Sequence, residues 1–353
     1  MVILLLLSAS PIIIKALMGD ITENNKKKNL YMIICGLCIV FVMGLRSRFA
    51  GSPDTNNNCK LFESIQSSNI GLLDFIKSRS EGNSLLLSEF GYSVFVWLLA
   101  NIFPSAQWLI FTIALITTVC TLRFIYKHSE DIVVSIVMFL CLGLFSFNMN
   151  GLRQCIAMSI CLIAYDFIKE KKFVPFAILI IFAMSFHKSA VIFGFSYLFY
   201  KFKPNLYYTA LFVAILLVIT IFADNISLMY DNIVGQDYSS GESFETGGIV
   251  VVLIYLLTLG TALLFNKKLT DQDVYFIFLM SLMGLSLYVI RFISTQMYER
   301  ISYYFNYYIL LLLPSTIARF DGKSKILINS IIIILSIALF AYRLIGTNFA
   351  LII

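Results

Sequence analysis

Residues 148–200 decide how this chain folds, and they read NMNGLRQCIAMSICLIAYDFIKEKKFVPFAILIIFAMSFHKSAVIFGFSYLFY. Three polar groups interrupt this otherwise apolar stretch: the pair Arg153 and Gln154, the basic run Lys169–Lys172, and the pair His187 and Lys188. Basic residues concentrate in the cytoplasmic connections of membrane proteins. If the basic run faces the cytoplasm, the other two groups emerge together on the opposite face of a membrane.

The composition of the whole chain points to a membrane protein. Hydrophobic residues make up 59% of its 353 residues, charged residues make up 13%, and the mean hydropathy is +0.88. Soluble domains carry about 25% charged residues, and a backbone inside lipid must satisfy its own polar groups, as helices do. We therefore predict an all-α, polytopic membrane protein with one integral membrane domain over residues 1–353. The net charge of +6 is spread between apolar segments, so no nucleic-acid partner is expected.

A membrane-spanning helix needs about 20 apolar residues, and somewhat fewer where the bilayer thins. Twelve segments are predicted to span: Val2–Met18, Leu30–Leu45, Ala106–Tyr126, Ile132–Phe147, Cys155–Ile168, Phe173–Phe186, Ser189–Tyr200, Leu206–Ala223, Gly248–Phe265, Val274–Ile290, Ile301–Ala318 and Ile326–Ala341. A further apolar piece, Gly91–Phe103, is followed by Pro104 and rises only about 20 Å as a helix. It is predicted to be re-entrant or interfacial.

The basic connections between these segments set the orientation. They are Lys26–Lys28, Arg123–Lys127, Lys169–Lys172, Lys201–Lys203, Lys267–Lys268 and Arg319–Lys325. If residues 91–103 do not cross, all six lie on the cytoplasmic side, as the positive-inside rule requires; if they cross, the first connection lies opposite the other five. The prediction is therefore twelve crossings with both termini outside. The outer face then carries two long loops, 46–105 and 224–247, whose polar segments are Arg46–Glu89 and Asp224–Gly247.

Polar residues that could form a site collect at the outer helix ends. They are Arg46, Arg48, Asp54, Arg153, Gln154, His187, Lys188, Arg291, Glu299, Arg300, Tyr303 and Tyr304. Guanidinium groups hold phosphate oxygens in bidentate fashion, and a histidine can take a proton from an attacking hydroxyl group near neutral pH. The set predicts an anion site beside an acid–base group. A charge at a helix end can also simply reach the lipid headgroups, an alternative that stays open for Arg48 and Arg291.

His187 and Lys188 sit at the tip of a short hairpin. The flanking segments have 14 and 12 residues, so each rises about 20 Å, whereas a bilayer core is about 30 Å thick. The tip is therefore predicted to lie below the outer interface, where a cation needs a partner or a wet cavity. The alternative is a core histidine that is hydrogen-bonded to a backbone carbonyl.

The aromatic run 298–308, YERISYYFNYY, leaves two interpretations open. It could offer ring faces to sugars, or it could form an aromatic belt at the membrane interface. The chain has no Asp-x-Asp, no His/Cys cluster with metal spacing, no Gly-rich phosphate loop and no Gly-x-Ser-x-Gly elbow. Neither a metal nor another cofactor is predicted.

Four short motifs in this order resemble the EpsG-type branch of bacterial polysaccharide polymerases, which is related in role to the Wzy O-antigen polymerases. They are Gly44-Leu45-Arg46 with Gly51 and Asp54-Thr55, then Asn150-Gly151-x-Arg153-Gln154, then Phe186-His187-Lys188-Ser189-Ala190, and finally Arg300-x-x-Tyr303-Tyr304. They run along nearly the whole chain. The Arg-Gln and Phe-His-Lys-Ser pair at this separation is the most specific element.

The resemblance implies a glycosyltransferase of GT-C-like architecture in the bacterial cytoplasmic membrane. Such an enzyme acts at the outer face on undecaprenyl-diphosphate-linked oligosaccharides of an O-antigen, capsule or exopolysaccharide. It moves the growing glycan from its lipid carrier to the terminal sugar hydroxyl of an incoming unit. Membrane lipid and a chain-length regulator protein are further expected partners.

Residue roles follow as a hypothesis of metal-independent transfer. Cationic and polar residues are expected to hold the donor diphosphate and the sugar: Arg46, Arg48, Arg153, Gln154, Lys188, Arg291, Arg300, Tyr303 and Tyr304. His187 is the leading base for the acceptor hydroxyl, with Glu299 and Asp54 as rivals. Two other functions stay open, a ligase or acyltransferase for the same glycan and a flippase for the lipid-linked oligosaccharide.

Overall fold

In the computed structural model, the chain is almost entirely helical. The structure describes residues 2–21, 24–50, 53–68, 70–80, 89–234, 248–265, 271–320, 322–345 and 351. Within these ranges there is no β-strand, and an isolated antiparallel bridge joins Arg46 to Leu351. The α-helices are α1 Val2–Met18, α2 Asn25–Gly44, α3 Pro53–Ser68, α4 Leu72–Ser80, α5 Phe90–Ile102, α6 Gln107–His128, α7 Ile132–Cys141, α8 Leu144–Asn150, α9 Leu152–Lys169, α10 Phe173–Phe186, α11 Ser196–Phe199, α12 Leu206–Ile221, α13 Ala223–Val234, α14 Gly248–Phe265, α15 Gln272–Ile290, α16 Gln296–Asn306, α17 Ile309–Ile317 and α18 Gly322–Arg343. A 3₁₀ helix, Lys188–Phe195, joins α10 to α11.

Several helices are long and apolar enough to cross a membrane. In the described ranges α2, α6, α15 and α18 meet this requirement singly. Two bent pairs raise the number to six if each pair is one span: α7 with α8, bent by 52°, and α12 with α13, bent by 70°. Shorter apolar helices include α1, α5, α10 and α14. The protein is thus an all-α, multi-pass membrane protein, while the count of twelve crossings and the GT-C-like architecture stay predictions.

Most predicted apolar segments coincide with helices, and three have the predicted bounds: α1, α10 and α14. The segment Ser189–Tyr200 differs, because its first part winds as the 3₁₀ helix rather than as an α-helix. At about 2.0 Å per residue, the 3₁₀ helix with α11 covers about 22 Å, which matches the roughly 21 Å of α10 beside it. The tighter winding lets a segment two residues shorter return over the same distance.

Two other predictions need correction. The segment Ile301–Ala318 was predicted as one span, but the structure breaks it into α16 and α17 around Tyr307 and Tyr308. The predicted outer loop 46–105 also contains the helices α3, α4 and α5. Of the second polar segment, residues 224–234 belong to α13, and residues 235–247 lie outside the described residues.

The predicted cytoplasmic connections meet at one end of the helices, here called the basic end. The contacts across it are Lys28 over the Tyr126 ring at 4.3 Å, Lys127 with Asp166 at 2.9 Å, Lys169 with Asp273 at 2.9 Å, and Asn329 with Asp131 at 3.4 Å. The connection Lys267–Lys268 lies outside the described residues. These contacts join five parts of the chain, near residues 28, 126–131, 166–169, 273 and 329, so the positive charges among them share one face.

Both ends of α5 lie at the opposite end of the helices, here called the site end. The first residue of α5 follows Glu89, which is hydrogen-bonded to His187 at the end of α10. Beyond its last residue, Gln107 starts α6 and donates to the carbonyl oxygen of Gly44 at the end of α2. Helix α5 therefore leaves and rejoins the bundle at the same end, a path that fits the prediction of a segment that does not cross.

Helix α9 lies at the centre and sets up the site. It packs against α6, α10 and α16, and nearly all its residues are buried. It begins at the site end with Arg153 and Gln154 and finishes at the basic end with Lys169. Peripheral helices instead expose apolar side chains, such as Ile326 and Ile334 of α18, as expected where lipid is the solvent.

Candidate functional site

Glu89 is the centre of a buried charged cluster at the site end. Its Oε1 lies 2.6 Å from Nδ1 of His187, and its Oε2 accepts a hydrogen bond from Nη1 of Arg153 at 2.8 Å. The backbone N–H of Lys188 also donates to Oε1, at 3.4 Å. One carboxylate thereby joins the start of α5, the start of α9 and the end of α10.

The backbone brings Glu89 to this position at some cost. Glu89 adopts the left-handed conformation (φ 53°, ψ 44°), which costs a non-glycine residue roughly 1–2 kcal/mol. Its carbonyl oxygen accepts hydrogen bonds from the N–H groups of Tyr92 and Ser93, which hold the turn. Gly91 allows the close approach, because a side chain there would collide with Ser185 of α10. Strained residues of this kind are concentrated at functional sites.

The surroundings of Glu89 favour its ionised form. Burial alone would raise the pKa of Glu89, but the hydrogen bond and charge of His187 and the charge of Arg153 outweigh burial and lower the pKa to about 2. The carboxylate is therefore charged at any physiological pH. It can accept the Nδ1 proton of His187 and stabilise a positive charge on the imidazole ring.

The cluster is closed on one side and open on the other. The side chains of His187 and Glu89 are 7% and 10% exposed, whereas those of Arg153 and Asp54 are 28% and 31% exposed. Nη2 of Arg153 lies 3.7 Å from Oδ1 of Asp54, a loose ion pair. The more exposed part of the cluster is therefore the contact between Arg153 and Asp54.

Helix α3 positions Asp54 through hydrogen bonds to α5. Asn58 donates from Nδ2 to the carbonyl oxygen of Asp54 and accepts from the hydroxyl group of Tyr92, both at 2.8 Å. The polar segment thus carries a helix that is fixed against the site. Asp54, a predicted site residue, is brought within reach of Arg153.

A second group of predicted residues centres on Glu299 of α16. Its carboxylate pairs with Arg291 and accepts from the hydroxyl group of Tyr303 at 3.1 Å. Gln154 donates to the backbone oxygen of Arg300 at 2.5 Å and links this group to α9. The Arg300 side chain is exposed. The cluster around Glu89 and the group around Glu299 are thus neighbours through α9 and α16.

The structure assigns packing roles to the predicted aromatic residues. Tyr303 stacks on Phe147 with ring centroids 4.1 Å apart, and Tyr304 shares a 3.0 Å hydrogen bond with Ser189. Both tyrosines are buried, because α16 lies between α15 and the 3₁₀ helix. Both rings therefore pack inside the protein, and the two interpretations of the run 298–308 as a whole stay predictions.

Arg46 and Arg48 differ from the prediction that they bind diphosphate. Arg46 is 1% exposed and donates to the backbone oxygens of Met43 and Met149, at 2.7 and 2.5 Å. Burial lowers its pKa to about 10, so it stays charged at neutral pH while tying α2 to α8. Arg48 instead forms an exposed pair with Glu63 at 2.5 Å. Neither belongs to the cluster around Glu89.

Glu89 is the functional residue that the sequence prediction missed. The sequence predicts Glu299 and Asp54 only as rivals of His187 for the role of base, and a backbone carbonyl as the alternative hydrogen-bond partner of His187. Glu89 was placed only at the end of a polar segment. The available signal was its position two residues before Gly91–Phe103, the apolar piece predicted not to cross.

The arrangement suits proton transfer next to an anion. Because Nδ1 of His187 faces Glu89, the neutral ring carries its lone pair on Nε2, which can act as a base. Within the described ranges, no group of three or more His, Cys, Asp or Glu residues could hold a metal ion. The chemistry available from these side chains is general base catalysis with cationic charge beside it.

Comparison with known proteins gives one result. A family model, described as the EpsG family, matches residues 29–352. The match includes the cluster around Glu89, the group around Glu299 and every helix from α3 to α18. No curated protein and no solved structure matches the chain.

Proposed function

The chain belongs to the EpsG family of Wzy-like polysaccharide polymerases, and we propose that it joins oligosaccharide units carried on undecaprenyl diphosphate. The observation that carries this proposal is the buried hydrogen bond between Glu89 and His187, with Arg153 on the same carboxylate. It puts a base and a cation side by side, as transfer from a diphosphate to a hydroxyl requires.

His187 activates the acceptor. Its Nε2 takes the proton from the terminal sugar hydroxyl of the incoming unit as that oxygen attacks the anomeric carbon of the growing glycan. Glu89 holds the ring in the required tautomer and stabilises the imidazolium that forms, as a carboxylate does behind a catalytic histidine. General base catalysis of this kind contributes about 10²–10⁴-fold to the rate.

The leaving group is the lipid diphosphate. As the new bond to the anomeric carbon forms, the bond from that carbon to the diphosphate oxygen breaks, and the oxygen leaves with the electron pair. Arg153 receives this charge by exchanging its loose contact with Asp54 for the diphosphate. Lys188 and the exposed Arg300 approach from the neighbouring elements, and Gln154 positions Arg300. Because these cations carry the charge, the proposed transfer requires no metal ion.

The proposed setting is the outer face of the bacterial cytoplasmic membrane. The proposal places the site end outside with both termini and the basic end in the cytoplasm. Leu351 pairs with Arg46 at the site end, and α1 finishes where α2 begins, beside the basic run Lys26–Lys28. A chain-length regulator protein is a proposed partner on the outer side.

The test is polymerisation by the purified protein in proteoliposomes with a lipid-linked repeat unit. We expect a ladder of longer glycans and one released lipid diphosphate for each bond formed. Arg153→Ala should reduce the rate on the order of 10²-fold, whereas Arg123→Ala at the basic end serves as the matched control. Full-length polymer from Arg153→Ala at normal protein levels would show that the site is wrongly assigned.

A deletion strain separates the polymerase from the other open functions. Loss of a polymerase leaves single repeat units attached to their final acceptor. Loss of a ligase leaves polymer unattached, and loss of a flippase leaves units trapped inside. Only the first result agrees with the proposed function.

A further inference from the structure

Asp54 and Glu89 are two carboxylates that face Arg153, and they contact it in different ways. Oε2 of Glu89 accepts a hydrogen bond from Nη1 at 2.8 Å, whereas Oδ1 of Asp54 lies 3.7 Å from Nη2. The second distance is longer than the 2.7–3.2 Å that is usual for a hydrogen bond. The Glu89 side chain is 10% exposed, against 31% for Asp54. Glu89 is therefore the structural partner of Arg153, and Asp54 is a further negative charge at the more exposed side of the same guanidinium group.

Buried hydrogen bonds fix the backbone of Asp54 in this position. Its carbonyl oxygen accepts from Nδ2 of Asn58 at 2.8 Å, and Asn58 in turn accepts from the hydroxyl group of Tyr92 at 2.8 Å. The hydroxyl group of Thr55, the next residue, donates to the backbone oxygen of Met149 at 3.3 Å. Thr55, Asn58 and Tyr92 are at most 6% exposed. Because these bonds hold the first turn of α3 against both α5 and α8, the Asp54 carboxylate stays beside the guanidinium group.

The proposed transfer changes the charge of the group that Arg153 holds. In the donor, each phosphate of the diphosphate is esterified on both sides, so each carries one negative charge. When the bond to the anomeric carbon breaks, the leaving oxygen keeps the electron pair, and the terminal phosphate gains a further charge. This charge is largely present at neutral pH, since the second pKa of a phosphate monoester is about 6. The released lipid diphosphate is therefore more negative than the donor at the oxygen that faces Arg153.

We propose that Asp54 distinguishes the donor from the product, because its fixed carboxylate repels the additional charge of the released lipid diphosphate. Like charges a few ångströms apart repel each other weakly in water but strongly where protein excludes part of the water. Cationic groups alone would bind the product more tightly than the donor and would retain it. Asp54 opposes this preference, so the product leaves and the next donor binds. The inference rests on the proposed function, because it takes a lipid diphosphate at Arg153 as its premise, and it assigns Asp54 to product release rather than to the role of base.

The first experiment varies the charge of the ligand and the charge of Asp54 separately. The probes are an isoprenoid diphosphate and its terminal methyl ester, which carry no sugar and differ by one negative charge. Their binding is measured on the purified protein in nanodiscs of zwitterionic phospholipid. We expect Asp54→Asn to strengthen binding of the free diphosphate relative to the methyl ester about tenfold, equal to about 1.4 kcal/mol. An unchanged ratio would overturn the proposal, even with both probes bound more tightly, because Asp54 would then only compete for Arg153.

Glu63→Gln is the matched control for this experiment. Glu63 is also on α3, but it lies nine residues beyond Asp54, about 13 Å along the helix axis. It pairs with Arg48, and its side chain is 48% exposed. We expect the ratio of the two affinities to stay the same in this variant. A shift as large as that of Asp54→Asn would show a general effect of negative charge on this helix and would overturn the proposal.

A measurement on the unmodified chain covers the case in which Asp54→Asn does not fold. A site with cationic groups alone favours the ligand that carries the additional negative charge. We instead expect the unmodified chain to bind the free diphosphate no more tightly than the methyl ester, because Asp54 offsets that preference. Clearly tighter binding of the free diphosphate would overturn the proposal.

Inhibition of polymerisation by the product relates this binding to turnover. Isoprenoid diphosphate is added to proteoliposomes that contain the protein and a lipid-linked repeat unit. We expect it to inhibit Asp54→Asn at an about tenfold lower concentration than the unmodified chain. Equal inhibition of both proteins would contradict a role in product release.

Arg153→Ala separates failure of this inference from failure of the proposed function. We expect it to weaken binding of both sugar-free probes, since it removes the cation that holds the diphosphate. Unchanged binding of both probes would reject the proposed diphosphate site, and this inference with it. Weaker binding in Arg153→Ala together with an unchanged ratio in Asp54→Asn would reject this inference alone.

Discussion

The two histidines of this chain lie at opposite ends of the helices, and each is bonded to a buried carboxylate. His187 pairs with Glu89 at the site end. His128 pairs with Asp166 at the basic end, where Asp166 also holds Arg123 and Lys127. Helix α9 connects the two regions, since Arg153 and Asp166 are 13 residues and about 20 Å apart along it.

The two pairs differ in which ring nitrogen the carboxylate uses. Glu89 is hydrogen-bonded to Nδ1 of His187, so the lone pair of the neutral ring is on Nε2, the nitrogen farther from the backbone. Asp166 is hydrogen-bonded to Nε2 of His128, so the other ring nitrogen, Nδ1, lies next to the main chain. The His128 ring also packs against Phe124 and Tyr165. The same pair of residue types is therefore arranged for proton transfer at one end and for tying helices together at the other.

The largest expected effect comes from removing the two imidazole rings in turn. We expect His187→Ala to lower the rate of polymer formation on the order of 10³-fold, because it removes the proposed base. His128→Ala is the matched control and should keep the rate within a few-fold at equal protein level. The measurement is initial polymerisation rate in proteoliposomes. Comparable losses in both variants would remove the functional distinction between the two ends.

Neutralising the two carboxylates, Glu89 and Asp166, tests the same difference between the site end and the basic end. Glu89→Gln keeps the shape but removes the charge that stabilises the imidazolium, so we expect a loss of about 10²–10³-fold in kcat. The affinity for the lipid-linked substrate should change little. Asp166→Asn leaves Arg123 and Lys127 without their shared partner, so it should lower the thermal stability with little effect on the rate per folded molecule. An Asp166→Asn variant as inactive as Glu89→Gln would contradict this assignment.

A third prediction concerns stability in acid. The pKa of Glu89 is about 2 in the folded protein, against a reference value of 4.5. A carboxylate with a lowered pKa stabilises the fold above its unfolded pKa, and this stabilisation, about 3 kcal/mol, is lost as the pH falls from about 4.5 to 2. Thermal unfolding in detergent should therefore show a steeper loss in this window for the natural chain than for Glu89→Gln. Parallel curves would mean that Glu89 is not held in its charged form.

The sequence alone predicts which residues lie at the basic end and at the site end. It does not predict which carboxylate is bonded to each histidine. Apolar length and the basic runs predicted the helices and the shared face of the positive charges, because these depend on local composition. Arg153 and His187 were correctly expected at one end for the same reason. Local composition does not indicate which carboxylate forms a hydrogen bond with Arg153 or His187. Glu89 and His187 are 98 residues apart, and their contact depends on α5 rejoining the bundle at the site end.

The errors also follow from tertiary packing. Arg46 was expected to bind diphosphate because a cation at an outer helix end often faces substrate, yet backbone oxygens of Met43 and Met149 enclose it. Tyr303 and Tyr304 were expected at a surface, but both rings are buried because α16 lies between α15 and the 3₁₀ helix. Local patterns give the residue type at a helix end, whereas the direction of its side chain depends on neighbours from distant segments.

The smallest expected effect tests whether charge at the site end matters by itself. Arg48 lies at this end but pairs with Glu63 on the surface, with both side chains a third or more exposed. Exposed pairs of this kind contribute about 0–1 kcal/mol to stability, and Arg48 makes no contact with Glu89 or His187 in the described chain. We therefore expect Arg48→Ala to keep the polymerisation rate within about twofold, against the much larger loss from Arg153→Ala.

The measurement is the same initial rate at low and physiological salt. A large loss for Arg48→Ala that disappears at physiological salt would show that the whole field of this end attracts the anionic substrate. Unchanged rates at both salt concentrations would restrict the function of this end to the residues bonded to Glu89.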